Sequence, residues 1–280
     1  MKSLRGIRRT VRWINSPPNH GTCLYIRQKA DGYFSSMKAT NWEFRNRALL
    51  FGLIFAVAFP LYSLDPQNST AALANWLGPR LGMDADLIAH LLFILAALLL
   101  LAAALIRTWA SSYLRAEVVY AADVKTESLV AGGPYRHVRN PLYLANVLMI
   151  IGVGAMMSRT GFFVAVVAML LLCYRLILRE EAELQESQGD RYEGYRKAVP
   201  RLWPSLRPRI SSAGSHARWS EGLKAESWYW GFVVAGVAFD ITLSLKVFLV
   251  ILVASFLLLW ISSAVLRKKS NSQPPGSPEA

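Results

Sequence analysis

The reading turns on Gly-Gly-Pro-Tyr-Arg-His-Val-Arg-Asn-Pro-Leu-Tyr at 132–143. An apolar hairpin comes next, and then Arg-Glu-Glu-Ala-Glu-Leu at 179–184, Gly-Asp-Arg-Tyr-Glu-Gly-Tyr at 189–195 and Val-Pro-Arg-Leu-Trp-Pro at 199–204. Polar residues capable of chemistry therefore bracket a hydrophobic hairpin on both sides. That arrangement points to an active site at a membrane surface rather than to a passive span.

The rest of the chain is consistent with such a setting. Of 280 residues 54% are hydrophobic, and they gather into long apolar runs, as in a polytopic membrane protein. The net charge of +13 does not indicate nucleic acid, because the basic residues cluster between apolar runs, where anionic headgroups sit. Cys23 and Cys173 cannot form a disulfide framework with Cys173 inside an apolar run. The four histidines lack metal-ligand spacing, so no metal is expected.

Six candidate spans emerge, at about 48–64, 87–106, 142–157, 161–178, 228–245 and 247–266. Lys and Arg number ten in 1–47, five in 107–141, ten in 175–228 and three after Leu266, against Arg80, Arg159 and Lys246 on the other side. This asymmetry places both termini in the cytoplasm and requires an even number of crossings. Leu73, Trp76, Leu77 and Leu81 recur at helical spacing and predict a short interfacial helix between the first two spans.

The expected fold is all-α, a polytopic transmembrane helix bundle with a cytoplasm-facing pocket. Its expected parts are a basic, partly disordered cytoplasmic segment at 1–47 and transmembrane helices with their loops at 48–131. A core of helical hairpin plus cytoplasmic helix occupies 132–208, then a linker or interfacial helix 209–226, a transmembrane hairpin 227–266 and a disordered tail 267–280.

Within the core, Asn140 is a good N-cap and Pro141 suits the first helical position. Helix initiation alone does not account for Tyr143 and Asn146, three apart on one face, the second an amide within an apolar span. The start of this helix offers free N–H groups and partial positive charge to a carboxylate, reinforced by Arg136 and Arg139. Both arginines are equally suited to headgroups. Arg175 lies within the otherwise apolar run 170–178, and either snorkels or serves a site. Glu180 and Glu181 are about 100° apart on a helix, so one can turn inward and the other toward water. Asp190 is expected to cap a short helix carrying Tyr192 and Tyr195 on one face.

Together these residues resemble the superfamily of integral membrane methyltransferases that includes isoprenylcysteine carboxyl methyltransferases and phospholipid methyltransferases. That pattern runs Gly-Pro-Tyr, Arg-His-Pro-x-Tyr-x-Gly, a hairpin, Glu-Glu-x-x-Leu, Gly-x-x-Tyr-x-x-Tyr and Val-Pro. The chain matches it at Gly133-Pro134-Tyr135, Arg139, Pro141, Tyr143, Glu180-Glu181, Leu184, Gly189, Tyr192, Tyr195 and Val199-Pro200. It departs at Asn140, where the pattern often has His, and at Ala145, where it often has Gly.

The resemblance implies S-adenosylmethionine as methyl donor, with Tyr135, Arg139, Asn140, Pro141, Tyr143, Leu144, Glu180 and Glu181 around it and Glu181 on its ammonium. Arg175, Glu181 and Tyr143 are then the catalytic candidates, with Arg175 suited to an anionic acceptor. The implied partners are the lipid bilayer and a lipophilic substrate, a prenylated cysteine-like carboxylate or a phospholipid amine. The alternatives are an NADPH-dependent sterol-type reductase of related architecture and a non-catalytic membrane scaffold of the same fold. The oligomeric state is left open.

Overall fold

A computed structural model describes residues 37–114, 132–211 and 216–271, with side chains to residue 261. The chain divides into two units, Met1–Lys38 and Ala39–Ala280. The helical bundle belongs to the second.

Its elements are helical, with one isolated antiparallel bridge between Asn68 and Ser158. In chain order they are α1 (Asn41–Arg45), α2 (Arg47–Ala58, continued by a 3-10 turn at Phe59–Ser63), α3 (Ser69–Leu81) and α4 (Ala85–Tyr113). A 3-10 turn at Gly133–Arg136 leads into α5 (Pro141–Gly154) and α6 (Arg159–Gln188). The remainder is α7 (Asp190–Ala198), α8 (Trp219–Ala225), α9 (Ser227–Thr242) and α10 (Leu245–Asn271). The protein is thus an all-α membrane protein, as its sequence predicts.

Among the residues whose side chains are described, α4 and α6 are long and apolar enough to cross a bilayer by themselves. The third expected span is α5, whose 14 residues rise about 21 Å, short of about 30 Å of hydrocarbon. The fifth and sixth are separate helices, broken at Leu243, which sits in the left-handed region at φ 49°. The helix expected around Leu73–Leu81 is α3, with Leu73, Trp76 and Leu81 exposed. α10 continues to Asn271, past the expected boundary at 267. The disorder expected for 1–36 and 272–280 falls outside the described residues.

α4 lies at the centre, against α3, α5, α8 and α9, while α5 leans on α6 and α6 on α2. Leu100 of α4 is the wedge between its neighbours. A Cβ added to Gly152 of α5 would meet Leu100 at 2.8 Å, and one added to Gly236 of α9 would meet it at 2.6 Å. Two helices thereby approach a third closely enough to bury Met149, Ile150 and Val153. Leu91, Leu95, Leu98, Phe163 and Leu171 stay exposed on the outer faces of α4 and α6, as apolar lipid-facing positions do.

The two ends of this bundle differ. At one end the carbonyls of the turn that follows α5 are taken up by the residues before and at the start of α3. Thr70 Oγ1 donates to the Ala155 carbonyl at 2.8 Å, Tyr62 Oη to that of Met156 at 2.8 Å, and Ser69 N to that of Met157 at 2.9 Å. Asp65 accepts from Arg159 and from the Thr160 N–H and hydroxyl, locking the α5–α6 turn. Ser158 caps α6 by accepting from Gly161 N. The opposite end carries every residue singled out for chemistry.

The α8–α4 contact is a close backbone approach at that opposite end. A Cβ on Gly222 would lie 2.7 Å from the Thr108 carbonyl oxygen and 2.8 Å from Ser112 N, backbone atoms that cannot rotate away. Gly222→Ala is expected to lower stability by about 1–3 kcal/mol. Gly194→Ala, on the open side of α7 with nothing within 4 Å, is expected to be neutral or to stabilise by up to about 1 kcal/mol. Thermal unfolding of both variants in detergent checks this ordering; equal midpoints would refute the close contact.

Candidate functional site

Glu181 is 7% exposed, on the last turns of α6. A carboxylate buried there needs counter-charge and donors, and the chain on either side of α5 and α7 supplies them. Arg201 forks onto it, Nε at 3.2 and 3.1 Å from the two oxygens and Nη2 at 2.7 Å from Oε2. Arg139 Nη2 stands 3.4 Å from Oε1, and Asn140 Nδ2 donates to the same oxygen at 3.2 Å. Asn140 therefore precedes α5 without capping it; its amide bonds Glu181 and the Arg201 carbonyl instead. Pro141 still opens the helix, as expected.

The strip after α7 is zipped along the strip before α5. Arg139 N donates to the Pro200 carbonyl at 2.8 Å, Ser205 N to that of His137 at 2.9 Å, and Arg209 N to that of Arg136 at 2.9 Å. Arg136 Nε is used on the Ile210 carbonyl, so Arg136 is a brace and not a free cation. Tyr195 Oη donates to the Tyr135 carbonyl at 2.8 Å, and Tyr192 and Tyr195 pack together as one apolar unit with Val199. Burial pushes the Tyr192 phenol up to about 12 and raises those of Tyr195 and Tyr135 as well, so all three stay neutral. The cap of α7 is Gly189, at φ 52°, and Asp190 is the first helical residue rather than the expected cap.

Glu180 points another way from Glu181 and is half-buried, with Tyr143 Oη donating to its Oε1 at 2.7 Å. Of the two carboxylates, Glu181 is thus the one turned inward, and Glu180 keeps part of its surface exposed. Leu144, half-buried, follows Tyr143 in the first turn of α5. Arg139 and Tyr135 keep unsatisfied groups. Among the described residues Arg139 Nε and Nη1 and Tyr135 Oη are buried without a hydrogen-bond partner.

Arg175 is not brought to this cluster's donors. Its guanidinium pairs with Glu43 of α1, Nε at 3.1 Å and Nη2 at 2.8 Å from the two oxygens. Arg179 donates to Asn41 at 2.6 Å and pairs with Glu183, four positions on, at 2.7 Å. Glu43 also closes a capping box with Thr40. α1 is therefore strapped to α6 by charge.

A second buried polar group lies beyond Tyr143. Arg107 of α4 donates through Nε to Glu226, and through Nη1 to Asn146 Oδ1 at 2.9 Å and the Leu142 carbonyl at 3.4 Å. Ser111 Oγ donates to the other Glu226 oxygen at 2.6 Å, and Tyr229 Oη to Asn146 Oδ1. The Arg107 guanidinium also stands over the Tyr229 ring, 4.7 Å from its centre. Of these residues sequence reasoning singles out only Asn146. The readable signal is Arg107 itself, a cation two turns before the end of a helix whose apolar run ends at Ile106. Arg201 and Glu43 also escape it, since their partners are 20 and 132 positions away. Among the described residues no group of three His, Cys, Asp or Glu side chains could hold a metal ion.

Residues 91–191 match the sequence model of the phospholipid methyltransferase family. The chain is 26% identical over 179 residues to the cobalt-zinc-cadmium resistance protein CzcN of Cupriavidus metallidurans, covering 61% of this chain and 78% of that protein. It is 30% identical over 88 residues to the nickel-cobalt-cadmium resistance protein NccN of Alcaligenes xylosoxydans xylosoxydans, 31% of this chain and 41% of that one. No solved structure matches.

The Arg175 guanidinium holds the Glu43 carboxyl down at about 2. A carboxylate with a depressed folded pKa contributes stability that is present above its unfolded value, near 4.5, and lost as pH falls toward 2. The strap is expected to loosen across that window. Limited proteolysis at the α1–α2 junction should accelerate between about pH 5 and pH 3 relative to a reference cleavage elsewhere, under conditions of constant protease activity. Glu43→Gln should cleave fast already at the upper end of that range and lose the dependence; identical profiles for the two proteins would refute the strap.

Proposed function

We propose, taking as premise that residues 91–191 are a domain of the phospholipid methyltransferase family, that this membrane protein transfers a methyl group from S-adenosylmethionine to a lipophilic acceptor. The observation that carries the proposal is the cluster of Tyr143–Glu180 beside Glu181, Arg139 and Asn140 where α5 starts against the end of α6. In this reading the chain is multi-pass with both termini cytoplasmic, so that a soluble donor reaches the cluster from the basic side.

The residues fit the amino-acid part of that cofactor. Arg139 brings two buried N–H groups and Tyr135 a hydroxyl, all three without a partner, and these suit a carboxylate. Glu181 suits an ammonium, which would take the place of Arg201, the more exposed of its two arginines at 35% against 8%. Asn140, Pro141 and Leu144 form the wall at the start of α5. The cofactor supplies an electrophilic methyl carbon on sulfonium sulfur.

What the chain adds is orientation and, where the acceptor carries a proton, a base. A carboxylate acceptor arrives ionised and needs only to be held in line. An amine acceptor must lose a proton before attack, and the Glu180 carboxylate, already receiving a hydrogen bond from Tyr143, is the group positioned to take it. Arg175 is committed to Glu43, so an anionic acceptor would reach it only by displacing α1. No metal enters this scheme, and positioning in a dry site supplies its rate.

Equilibrium binding in detergent tests the reading. S-adenosylmethionine should bind saturably and NADPH should not. Glu181→Gln should weaken binding about 10- to 100-fold, the value of a charge-assisted hydrogen bond, and Tyr143→Phe should slow transfer to an amine about 10- to 100-fold with less effect on binding. No saturable binding by the wild-type protein would refute the proposal, and nicotinamide binding would replace it with the reductase reading.

A further inference from the structure

The Arg107–Glu226 pair is built from both sides of the family boundary. Arg107 and Asn146 lie within residues 91–191, whereas Glu226 and Tyr229 come from the helices after it. Glu226 is fully buried and directs one oxygen to Arg107 and the other to Ser111. Arg107, held on that side, spends its Nη1 on α5, bonding the Leu142 carbonyl and the Asn146 side chain. Those two contacts bracket Tyr143 in sequence. Tyr229 bonds the same Asn146 oxygen from the other flank. Trp230 Nε1 donates to Thr108 at 3.2 Å, fixing α9 to α4 one residue from Arg107.

A buried ion pair of this kind is a poor source of stability. The desolvation of both charges offsets most of their attraction, and apolar residues of the same size fill such a site as well or better. What it supplies is direction: a planar guanidinium with fixed donors sets where a turn of helix sits. The turn in question carries the phenol that meets Glu180.

We infer that Glu226 is a positioning residue: through Arg107 it fixes the first turn of α5 and so holds Tyr143 opposite Glu180. The inference rests on the proposed function for its meaning, and on the Arg107–Leu142–Asn146 contacts for its geometry. It makes the helices after residue 216 part of the site's architecture, although they supply no group to the reacting atoms.

The test separates position from stability and from function. 3-Fluorotyrosine placed at 143 in the full-length protein reports the Tyr143 environment by its 19F resonance, without any ligand. In Arg107→Met/Glu226→Leu the protein should unfold within a few degrees of wild type, while the 19F resonance moves toward that of Glu180→Gln and methyl transfer falls at least about tenfold. Glu226→Gln, isosteric and able to keep the backbone contacts, should move the resonance the same way and is the deciding variant if the double one does not fold. A wild-type resonance in a folded Glu226→Gln or double variant would overturn the inference. A moved resonance in a protein whose wild type neither binds S-adenosylmethionine nor transfers methyl groups would uphold the positioning and sink the proposed reaction instead.

Discussion

A carboxylate cannot sit buried at the end of a membrane helix without counter-charge, and Glu181 meets that constraint by drawing distant parts of the chain together. Arg201 comes from the strip after α7, and Arg139 and Asn140 from the strip before α5. The carboxylate is therefore the point at which the chain after α7 is returned to the chain before α5. The backbone zipper from Arg139–Pro200 to Arg136–Arg209 follows from that return, as does the placing of Tyr195 on the Tyr135 carbonyl. Neutralising Glu181 alone would leave Arg139 and Arg201 close together with no anion between them, so the cluster stands or falls as a unit.

The same economy divides the bundle into two ends. The end at the α5–α6 turn uses neutral hydroxyl and amide groups and the acidic Asp65 to satisfy helix termini. The other end holds Arg107, Arg139, Arg175, Arg179 and Arg201, each against a carboxylate. Long side chains of this type reach a headgroup layer readily, and the proposed reaction with a water-soluble donor would draw on them there. α5, too short to span the hydrocarbon by itself, starts at that polar end with its N–H groups facing the cluster.

Much of this is legible in the sequence because it is local. The start of α5 at Pro141 follows from Asn140-Pro141, the break at Gly189 from a glycine the chain needs at positive φ, and the Arg179–Glu183 pair from i,i+4 spacing. The side-chain role of Asn140 differs from expectation because capping preference is a weak prior against a buried carboxylate nearby, and Asp190 is not the cap because Gly189 holds that position at positive φ. Three partnerships are invisible: Arg175 with Glu43, Arg107 with Glu226 and Arg201 with Glu181 join residues that only the folded topology brings together. Composition places Glu43 in a segment read as basic, and the end of an apolar run at Ile106 hides the further two turns of α4 that carry Arg107. Of the six apolar runs, two form helices of full spanning length, α4 and α6, among the residues whose side chains are described, while α10 runs on from Leu245 to Asn271. Apolar length in sequence does not tell a crossing helix from one that packs inside a bundle.

Service of the Tyr143–Glu180–Glu181 cluster in methyl transfer to a lipophilic acceptor is tested most directly by incubating the purified protein with methyl-labelled S-adenosylmethionine and a membrane lipid extract. The lipid and aqueous fractions are then separated. Label is expected in a discrete lipid species, and it should be lost in Glu180→Gln/Glu181→Gln. Absence of label from every lipid fraction, with a folded protein that binds no donor, would contradict that role.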